Sequence, residues 1–151
     1  MNYWDTKKRN KLIKLDIGCG KNKKRGYIGI DIDPKSDADI ISSALNLPFD
    51  NESVDEIYSS HLVEHLLPEE AKKFFNEIYR VLRKGGKAFL KIDRDWSERR
   101  LFKKDYTHKY RYSVKEIKKL VEKFRVAKVK NKIYFFNFYT PRNKIFVWLK
   151  K

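Results

Sequence analysis

The sequence has 151 residues, of which 36 are Lys or Arg and 20 are Asp or Glu, so its formal net charge at pH 7 is +16. This length suits one domain over residues 1–151, and a single cysteine excludes a disulfide framework and a cysteine-rich zinc site. No apolar run is long enough to span a membrane and no signal-peptide pattern is visible, so we expect a soluble, cytoplasmic protein. A charged fraction of 37% without any glutamine is typical of heat-adapted proteins.

Alternating apolar runs and turn residues predict an α/β fold. Strands that alternate with helices form a mostly parallel sheet. One helix is predicted to begin at Pro68 and to end at the glycine pair 85–86, and a capping box from Ser113 to Glu116 opens a second. The predicted strands are residues 12–17, 27–32, 38–41, 54–59, 87–92, 133–138 and 144–149, with a turn at residues 140–143.

The connection between the first two strands is unusually short. Only nine residues, 18–26, separate them, whereas a parallel crossover normally takes a dozen or more and usually forms a helix. We therefore predict that the first crossover helix is reduced or absent. Less helix dipole then acts on a bound anion, and the basic residues 21–25 either replace that charge or simply solvate the loop.

The first two strands each carry an acidic residue near their carboxyl ends, Asp16 and Asp31. Ligands of open α/β sheets bind at these ends, and Gly18 and Gly20 let the backbone turn sharply and approach a ligand. A Gly-x-Gly turn alone is weak evidence, because similar loops occur without a ligand. Lys23 stands where a dinucleotide-binding fingerprint needs its third glycine, which argues against a dehydrogenase.

Three successive segments resemble the motifs of class I S-adenosylmethionine-dependent methyltransferases. They read KLDIGCGKNKKRGYIGIDID at residues 14–33, LPFDNESVDEIYSSHLVEHL at residues 47–66 and EEAKKFFNEIYRVLRKGGKAFLKI at residues 69–92. Their order and spacing follow the family over roughly residues 12–92, including members with a shortened first crossover. The resemblance implies a Rossmann-like sheet with a terminal antiparallel hairpin, S-adenosylmethionine as the cofactor, and methyl transfer to an oxygen or nitrogen.

The resemblance also implies the cofactor contacts. Asp16 and the backbone of residues 18–20 would face the methionine end, and Asp31 would accept the ribose hydroxyls through charge-assisted hydrogen bonds. The family often has an Asp-Ala pair at the adenine, and Ser43 stands here in the place of that Asp. The cofactor-binding residues implied in this way are Asp16, Gly18, Cys19, Gly20, Asp31, Ser43, Ala44, Leu45 and Ser59.

The catalytic residues are less constrained. Alignment alone accelerates an in-line displacement, and a general base is needed only when the acceptor must lose a proton. His108 is the leading candidate for this base, with His61 and Asp93 as further candidates, although a loop histidine bonded to the backbone is also an option for His108. His61 and His65 have a metal-pair spacing, but no third ligand is evident, so we predict no metal site.

The acceptor cannot be named from the sequence, but its charge can be inferred. Residues 99–151 hold eighteen basic and three acidic residues, whereas residues 31–70 hold one basic and eleven acidic residues. A basic field attracts an acidic small molecule or a nucleic acid, or else only reflects a lysine-rich surface. Base-amine methylation is disfavoured, because residues 59–62 read SSHL where such enzymes usually carry (D/N)-P-P-(Y/F).

A second class of function stays open at this point. The short crossover and the replaced adenine contact also suit a methyltransferase-like binding module without activity, for instance a nucleic-acid-binding partner subunit. Aromatic residues interleaved with Lys and Arg are typical of nucleic-acid surfaces, but we expect most of them to fill the core. These aromatic residues are Tyr106, Tyr110, Tyr112, Tyr134, Phe135, Phe136, Phe138 and Tyr139.

Overall fold

The structure is a computed structural model that describes residues 12–94, 107–136 and 140–151, with residues 134–136 and 140–142 described by their backbone alone. Seven strands form one sheet in the order β3-β2-β1-β4-β5-β7-β6. The strands are β1 (Lys14–Ile17), β2 (Ile28–Asp31), β3 (Ile40–Ile41), β4 (Val54–Ser60), β5 (Leu82–Asp93), β6 (Val126–Phe136) and β7 (Thr140–Lys150), and the helices are α1 (Pro68–Val81) and α2 (Val114–Leu120).

The first five strands run parallel, and β7 lies antiparallel between β5 and β6. This arrangement confirms the predicted Rossmann-like sheet with its terminal antiparallel hairpin. The crossover from β1 to β2 contains turns and no helix, as its length predicted. Both helix starts are also confirmed, because Pro68 is the first residue of α1 and the Ser113 hydroxyl accepts a hydrogen bond from the Glu116 amide.

Three predicted strand starts are wrong, and α1 ends at Val81 rather than at the glycine pair 85–86. β5 begins at Leu82 and runs through the glycine pair, because Leu82 pairs with Val54 beside a bulge and Gly85 adopts a φ of 75°. β6 begins at Val126, and the predicted turn at residues 140–143 is the start of β7. Residues 137–139, where part of the predicted strand 133–138 falls, lie outside the described residues.

One face of the sheet carries the core. Inward residues of β1, β4, β5 and β7 pack against the apolar faces of α1 and α2 and are almost fully excluded from solvent. Tyr112 belongs to this core and donates its hydroxyl to the Leu66 carbonyl at 2.7 Å, which confirms the expectation for that aromatic residue. Tyr106, Phe138 and Tyr139 lie outside the described residues, as do the side chains of residues 134–136.

The opposite face, called the open face below, is not covered by α1 or α2. Strand register places mainly aromatic and lysine side chains on it, together with Glu56, Ser60 and Val126. Within the described residues, no helix is long and apolar enough to cross a membrane. The aromatic and lysine residues of the open face are Tyr27, Tyr58, Phe89, Phe146 and Trp148, with Lys14, Lys87, Lys91, Lys128, Lys130, Lys132, Lys144 and Lys150.

Candidate active site

The loop after β1 is a tight glycine turn. Gly18 and Gly20 have φ values of 71° and 53°, in the left-handed region that glycine adopts without strain. The Gly18 amide donates to the Ile30 carbonyl at 2.8 Å, which ties the turn to β2. A Cβ on Gly18 would lie 3.1 Å from a methyl carbon of Leu62, so the turn also packs closely on the segment after β4.

Asp16 holds the short crossover in place. Its side chain is 2% exposed, and its carboxylate accepts a hydrogen bond from the Lys24 amide at 2.7 Å. Burial raises the pKa of this carboxyl group, and the Lys24 amide partly offsets that shift. A crossover without a helix has few internal hydrogen bonds, so this side chain fixes a loop that a helix would otherwise order.

Asp31 lies at the end of β2 and anchors the same turn. One carboxylate oxygen accepts the Gly20 amide at 2.8 Å, and the other accepts the Asp33 amide at 2.9 Å. An ionised carboxylate has about four acceptor positions, so about two remain for a ligand. The carboxylate is therefore oriented by the turn while keeping the capacity to bind a pair of hydroxyl groups.

A second loop faces Asp31. The Ser42 amide donates to the Asp31 carbonyl at 2.9 Å, and the Ser43 hydroxyl accepts the Leu45 amide at 3.1 Å. Ile32 follows Asp31 and is 73% exposed, which is unusual for an isoleucine. Polar groups of Asp31 and Ser43 and the apolar side chain of Ile32 therefore lie next to each other.

These loops enclose a cleft of about 360 Å³, a volume within the range of small-molecule sites. The structure brings together Gly18, Asp31 and residues 43–45 from the sequence prediction. The residues that line the cleft are Gly18, Ile30, Asp31, Ile32, Ser42, Ser43, Ala44, Leu45, Leu62, His65, Leu66, Glu70, Thr107 and Lys109.

Four of the cofactor-binding residues named from the sequence do not line this cleft, and neither do the catalytic candidates His61, His108 and Asp93. Asp16 and Gly20 support the glycine turn, as described above. The Cys19 side chain is buried, and burial raises the pKa of its thiol to about 11, so it stays a neutral thiol. Ser59 is 1% exposed and donates its hydroxyl to the Ile17 carbonyl at 2.8 Å, which joins β4 to β1.

A buried carboxylate, Glu64, lies at the carboxyl end of β4 in the short 3₁₀ turn Val63–His65. Its side chain is fully buried, and one oxygen contacts the His61 Nδ1 at 3.1 Å and accepts the Asp93 amide at 3.1 Å. The other oxygen has no hydrogen-bond partner among the described residues. Sequence reasoning missed Glu64, although its place in HLVEH, three residues after His61, suits a side-chain contact across one turn.

The partners of His61 define its tautomer. Its Nε2 lies 3.2 Å from the Lys144 ammonium, which can only donate, and its Nδ1 faces the Glu64 carboxylate, which can only accept. A neutral ring with the proton on Nδ1 satisfies both contacts. Glu64 thus orients the ring through one nitrogen, and Lys144, which the sequence did not single out, contacts the other. Asp93 lies 3.6 Å from the same Nδ1.

The remaining two histidines form a pair beside the cleft. The rings of His65 and His108 meet edge to face with centroids 4.8 Å apart. His65 Nδ1 contacts the Thr107 hydroxyl at 3.0 Å and the Thr107 carbonyl at 3.1 Å. His65 lines the cleft, whereas His108 does not.

The structure places His61 and His65 in two different groups of potential metal ligands, which share Glu64. Glu64, His65 and His108 form one group of potential ligand atoms within 4.8 Å of one another, and His61, Glu64 and Asp93 form another. The ammonium of Lys144 at 3.2 Å from His61 opposes a cation in the second group. All three histidines of the chain therefore gather around the buried carboxylate of Glu64.

Comparisons with known proteins agree with this geometry. The sequence profile of the family described as "Methyltransferase domain" matches residues 15–90. A search of curated protein sequences found no match.

Similar folds occur among solved structures. Phosphoethanolamine N-methyltransferase 2 of Haemonchus contortus, in complex with phosphomonomethylethanolamine and S-adenosylhomocysteine, has a TM-score of 0.72 at 17% identity over 95% of this chain. This chain covers 49% of that enzyme, about half its length. A methyltransferase from Archaeoglobus fulgidus has a TM-score of 0.72 at 20% identity, with 94% of this chain and 87% of that chain covered. A possible histamine N-methyltransferase from Thermotoga maritima has a TM-score of 0.71 at 19% identity, with 95% and 84% covered.

The fold and the glycine–carboxylate cleft define a class I methyltransferase domain. The chain belongs to the methyltransferase-domain family, whose cofactor is S-adenosylmethionine. The cleft fits this cofactor, because Asp31 keeps acceptor positions at its wall and the exposed Ile32 offers an apolar surface beside it.

Proposed function

We propose that this chain transfers a methyl group from S-adenosylmethionine to an oxygen or nitrogen of a small anionic acceptor. The observation that carries the proposal is a single cleft that joins two kinds of wall. Gly18, Asp31 and residues 42–45 form one wall, and His65, Thr107 and Lys109 form the other. A nucleoside-binding wall and a basic, imidazole-bearing wall thus share one space.

The nucleoside wall suits each part of the cofactor by its chemistry. The remaining acceptor positions of Asp31 suit the two ribose hydroxyls, and Ile32 with Ala44 and Leu45 suits the flat face of the adenine. Ser43 stands where an acceptor for the adenine amine is expected. When bound, the cofactor supplies an electrophilic methyl group on a sulfonium.

A base is required where the acceptor must lose a proton. His61 is better supported for this role than His108, because its contacts with Glu64 and Lys144 suit a ring that carries its proton on Nδ1. A carboxylate that orients a histidine through Nδ1 leaves Nε2 as the basic atom. Movement of the Lys144 ammonium onto an anionic acceptor would expose that Nε2 lone pair.

Charge favours an anion as the acceptor. Lys109 lines the cleft, with its ammonium 3.5 Å from a Glu70 oxygen, and Lys144 lies beside His61. Lys109 and Lys144 attract a phosphate or carboxylate and hold it near the reacting groups. The Haemonchus enzyme was crystallised with a phosphate-bearing amine, which makes phosphoethanolamine compounds a sensible part of an acceptor panel.

The proposal is tested in two stages. Calorimetric titration with S-adenosylmethionine and S-adenosylhomocysteine is expected to give micromolar binding, and no binding at millimolar ligand would favour an inactive binding module. Turnover is then measured with methyl-labelled cofactor on matched anionic and neutral amines and alcohols. Lys109→Gln should raise the KM of the anionic acceptor, whereas Lys115→Gln, an exposed control on α2, should leave it unchanged. Equal methylation of neutral acceptors would contradict the anionic preference.

A further inference from the structure

Along the strands of the open face, aromatic and lysine residues alternate with residues that are buried in the core. Along β5, Ala88, Leu90 and Ile92 are buried in the core, while Lys87, Phe89 and Lys91 point to the other side. Strand β7 repeats this pattern, with Phe146 and Trp148 beside Phe89 in the register. Aromatic and lysine side chains from five strands therefore form the open face.

The aromatic rings form one continuous row across the sheet. Tyr58 and Phe89 have ring centroids 6.0 Å apart at an interplanar angle of 30°. Phe89 in turn lies 5.3 Å from Trp148 and 6.1 Å from Phe146. Tyr27 extends the row at the β2 end, 6.3 Å from Tyr58. Each of these rings is partly exposed.

Lysine ammonium groups lie over the faces of these rings. Lys24 is 4.7 Å from the Tyr58 ring centroid, Lys128 is 5.9 Å from that of Trp148, and Lys132 is 5.5 Å from that of Phe146. Ring faces that meet cations from the solvent side are turned outward rather than into the core.

The charge of the face is strongly positive away from the cofactor cleft. Its acidic residues are Asp16, Asp31, Glu56 and Asp93, and all but Glu56 lie at the carboxyl ends of their strands. Glu56 is already bonded to the Tyr27 hydroxyl and paired with Lys14 at 3.3 Å. Among the described residues, no ion pair joins Lys128, Lys130 or Lys132 on β6 to a carboxylate.

Such a face is unusual for a mostly parallel sheet. Parallel sheets are normally covered on both faces, and contiguous exposed apolar surface marks a binding site. A protein partner would be expected to meet an apolar patch with a polar rim, whereas here cations are interleaved with the rings themselves. Single-stranded nucleic acid matches this mixture, because bases stack on aromatic rings while lysines contact phosphates.

We propose that the open face binds single-stranded nucleic acid, with bases stacked on Phe89, Phe146 and Trp148 and phosphates contacted by the lysines of β6. Sheets that recognise RNA use the same device, with aromatic side chains on the strands that stack two or three bases. This inference is independent of the methyl acceptor, because the rings and the β6 lysines that it uses do not line the cofactor cleft, and Lys144, which lies beside His61, is not among them.

The first measurement is fluorescence anisotropy of labelled 20-nucleotide single strands, homopyrimidine DNA and RNA, with the full chain over a series of salt concentrations. We expect saturable binding that weakens as salt rises, and weaker binding to a duplex of the same length. The absence of binding at about 50 mM salt, or equal binding of duplex and single strand, would overturn the proposal.

Matched variants separate stacking from general charge. Trp148→Ala should weaken binding by roughly 5- to 150-fold, the loss that accompanies one stacked base. Replacing the three β6 lysines, Lys128, Lys130 and Lys132, by Gln should reduce the slope of log affinity against log salt by about 2. The control replaces the same number of exposed α2 lysines by Gln, and its slope should stay near that of the wild type. The control residues are Lys115, Lys118 and Lys119.

Two further results bear on the proposal. Each variant should still bind S-adenosylhomocysteine like the wild type, which shows that it is folded and that the effect is confined to the open face. Equal losses in the β6 and α2 lysine variants would mean that net charge alone drives binding, which contradicts the proposal. Gel filtration provides the last check, because a dimer that Trp148→Ala dissociates would make the face an interface between two copies of the chain instead.

Discussion

The substitution Asp31→Asn tests the cofactor cleft at its most constrained side chain. The carboxylate of Asp31 accepts the amides of Gly20 and Asp33 and keeps about two acceptor positions for a ligand. Asparagine has nearly the same shape, but it lacks the charge and replaces one acceptor oxygen by an NH₂ group. A hydrogen bond to a charged group contributes about 1.5–3 kcal/mol.

Because asparagine retains one oxygen, we expect the loss of about one charged bond and the weakening of the other. The total is about 2–4 kcal/mol, which corresponds to a roughly 30- to 1,000-fold weaker binding of S-adenosylhomocysteine. Asp33→Asn is the matched control, since its exposed carboxylate accepts the Lys35 amide in the adjacent loop and does not line the cleft. Its affinity should stay within about twofold of the wild type, as surface substitutions usually change little.

Calorimetry with the wild type and both variants provides the affinities, and thermal unfolding shows whether each variant is folded. If Asp31→Asn bound the ligand within threefold of the wild type, the ribose contact would not involve Asp31. If Asp33→Asn lost more affinity than Asp31→Asn, the two carboxylates would have exchanged roles, and the proposed orientation of the nucleoside in the cleft would be incorrect.

Two further predictions concern catalysis and stability. His61→Ala should lower kcat about 10²- to 10⁴-fold without changing cofactor affinity, provided that the acceptor loses a proton, and His108→Ala should have the smaller effect; a larger effect at His108 would reverse the assignment of the base. Arg80 contacts both oxygens of Glu77 and the backbone of the loop before β4. Arg80→Ala should therefore lower the free energy of unfolding by about 2–3 kcal/mol and the Tm by about 4–12 °C. Lys72→Ala, an exposed control on α1, should have little effect. Arg80 lowers the pKa of Glu77, so the part of this stabilisation that comes from the Arg80–Glu77 pair is present above the ordinary pKa of glutamate and disappears as pH falls through the lowered pKa. A urea-unfolding difference between wild type and Arg80→Ala that persisted undiminished at acidic pH would contradict this account.

The elements that surround the cofactor cleft were predictable because their signals are local. The glycine turn, the acidic strand ends and the length of the first crossover can each be deduced from fewer than twenty residues. The extent of β6 could not be deduced in this way. Its lysines alternate with Ala127, Val129 and Asn131, so the segment has little apolar content of its own, and its pairing with β7 over eleven residues defines it as a strand.

The histidine cluster was predictable only in part. The sequence identified all three histidines, but the residue that unites them is Glu64, which reads as one more charge in an acidic segment. Its importance depends on full burial and on the approach of Asp93 and Lys144, which are distant in the chain. Contacts of this kind arise from the order of strands in the sheet and have no counterpart in local spacing.

The short first crossover affects both the cofactor loop and the open face. A helix between β1 and β2 would have to pack on one face of the sheet, and α1 and α2 already cover the face that holds the core. Its omission means that a side chain, Asp16, orders the glycine turn through the Lys24 amide. The same omission leaves Tyr27 and Tyr58 accessible at the β2 end of the aromatic row, with Lys24 of that crossover lying over both rings. The absence of a helix between β1 and β2 therefore affects both how the cofactor loop is held and how much of the open face is available to a polyanion.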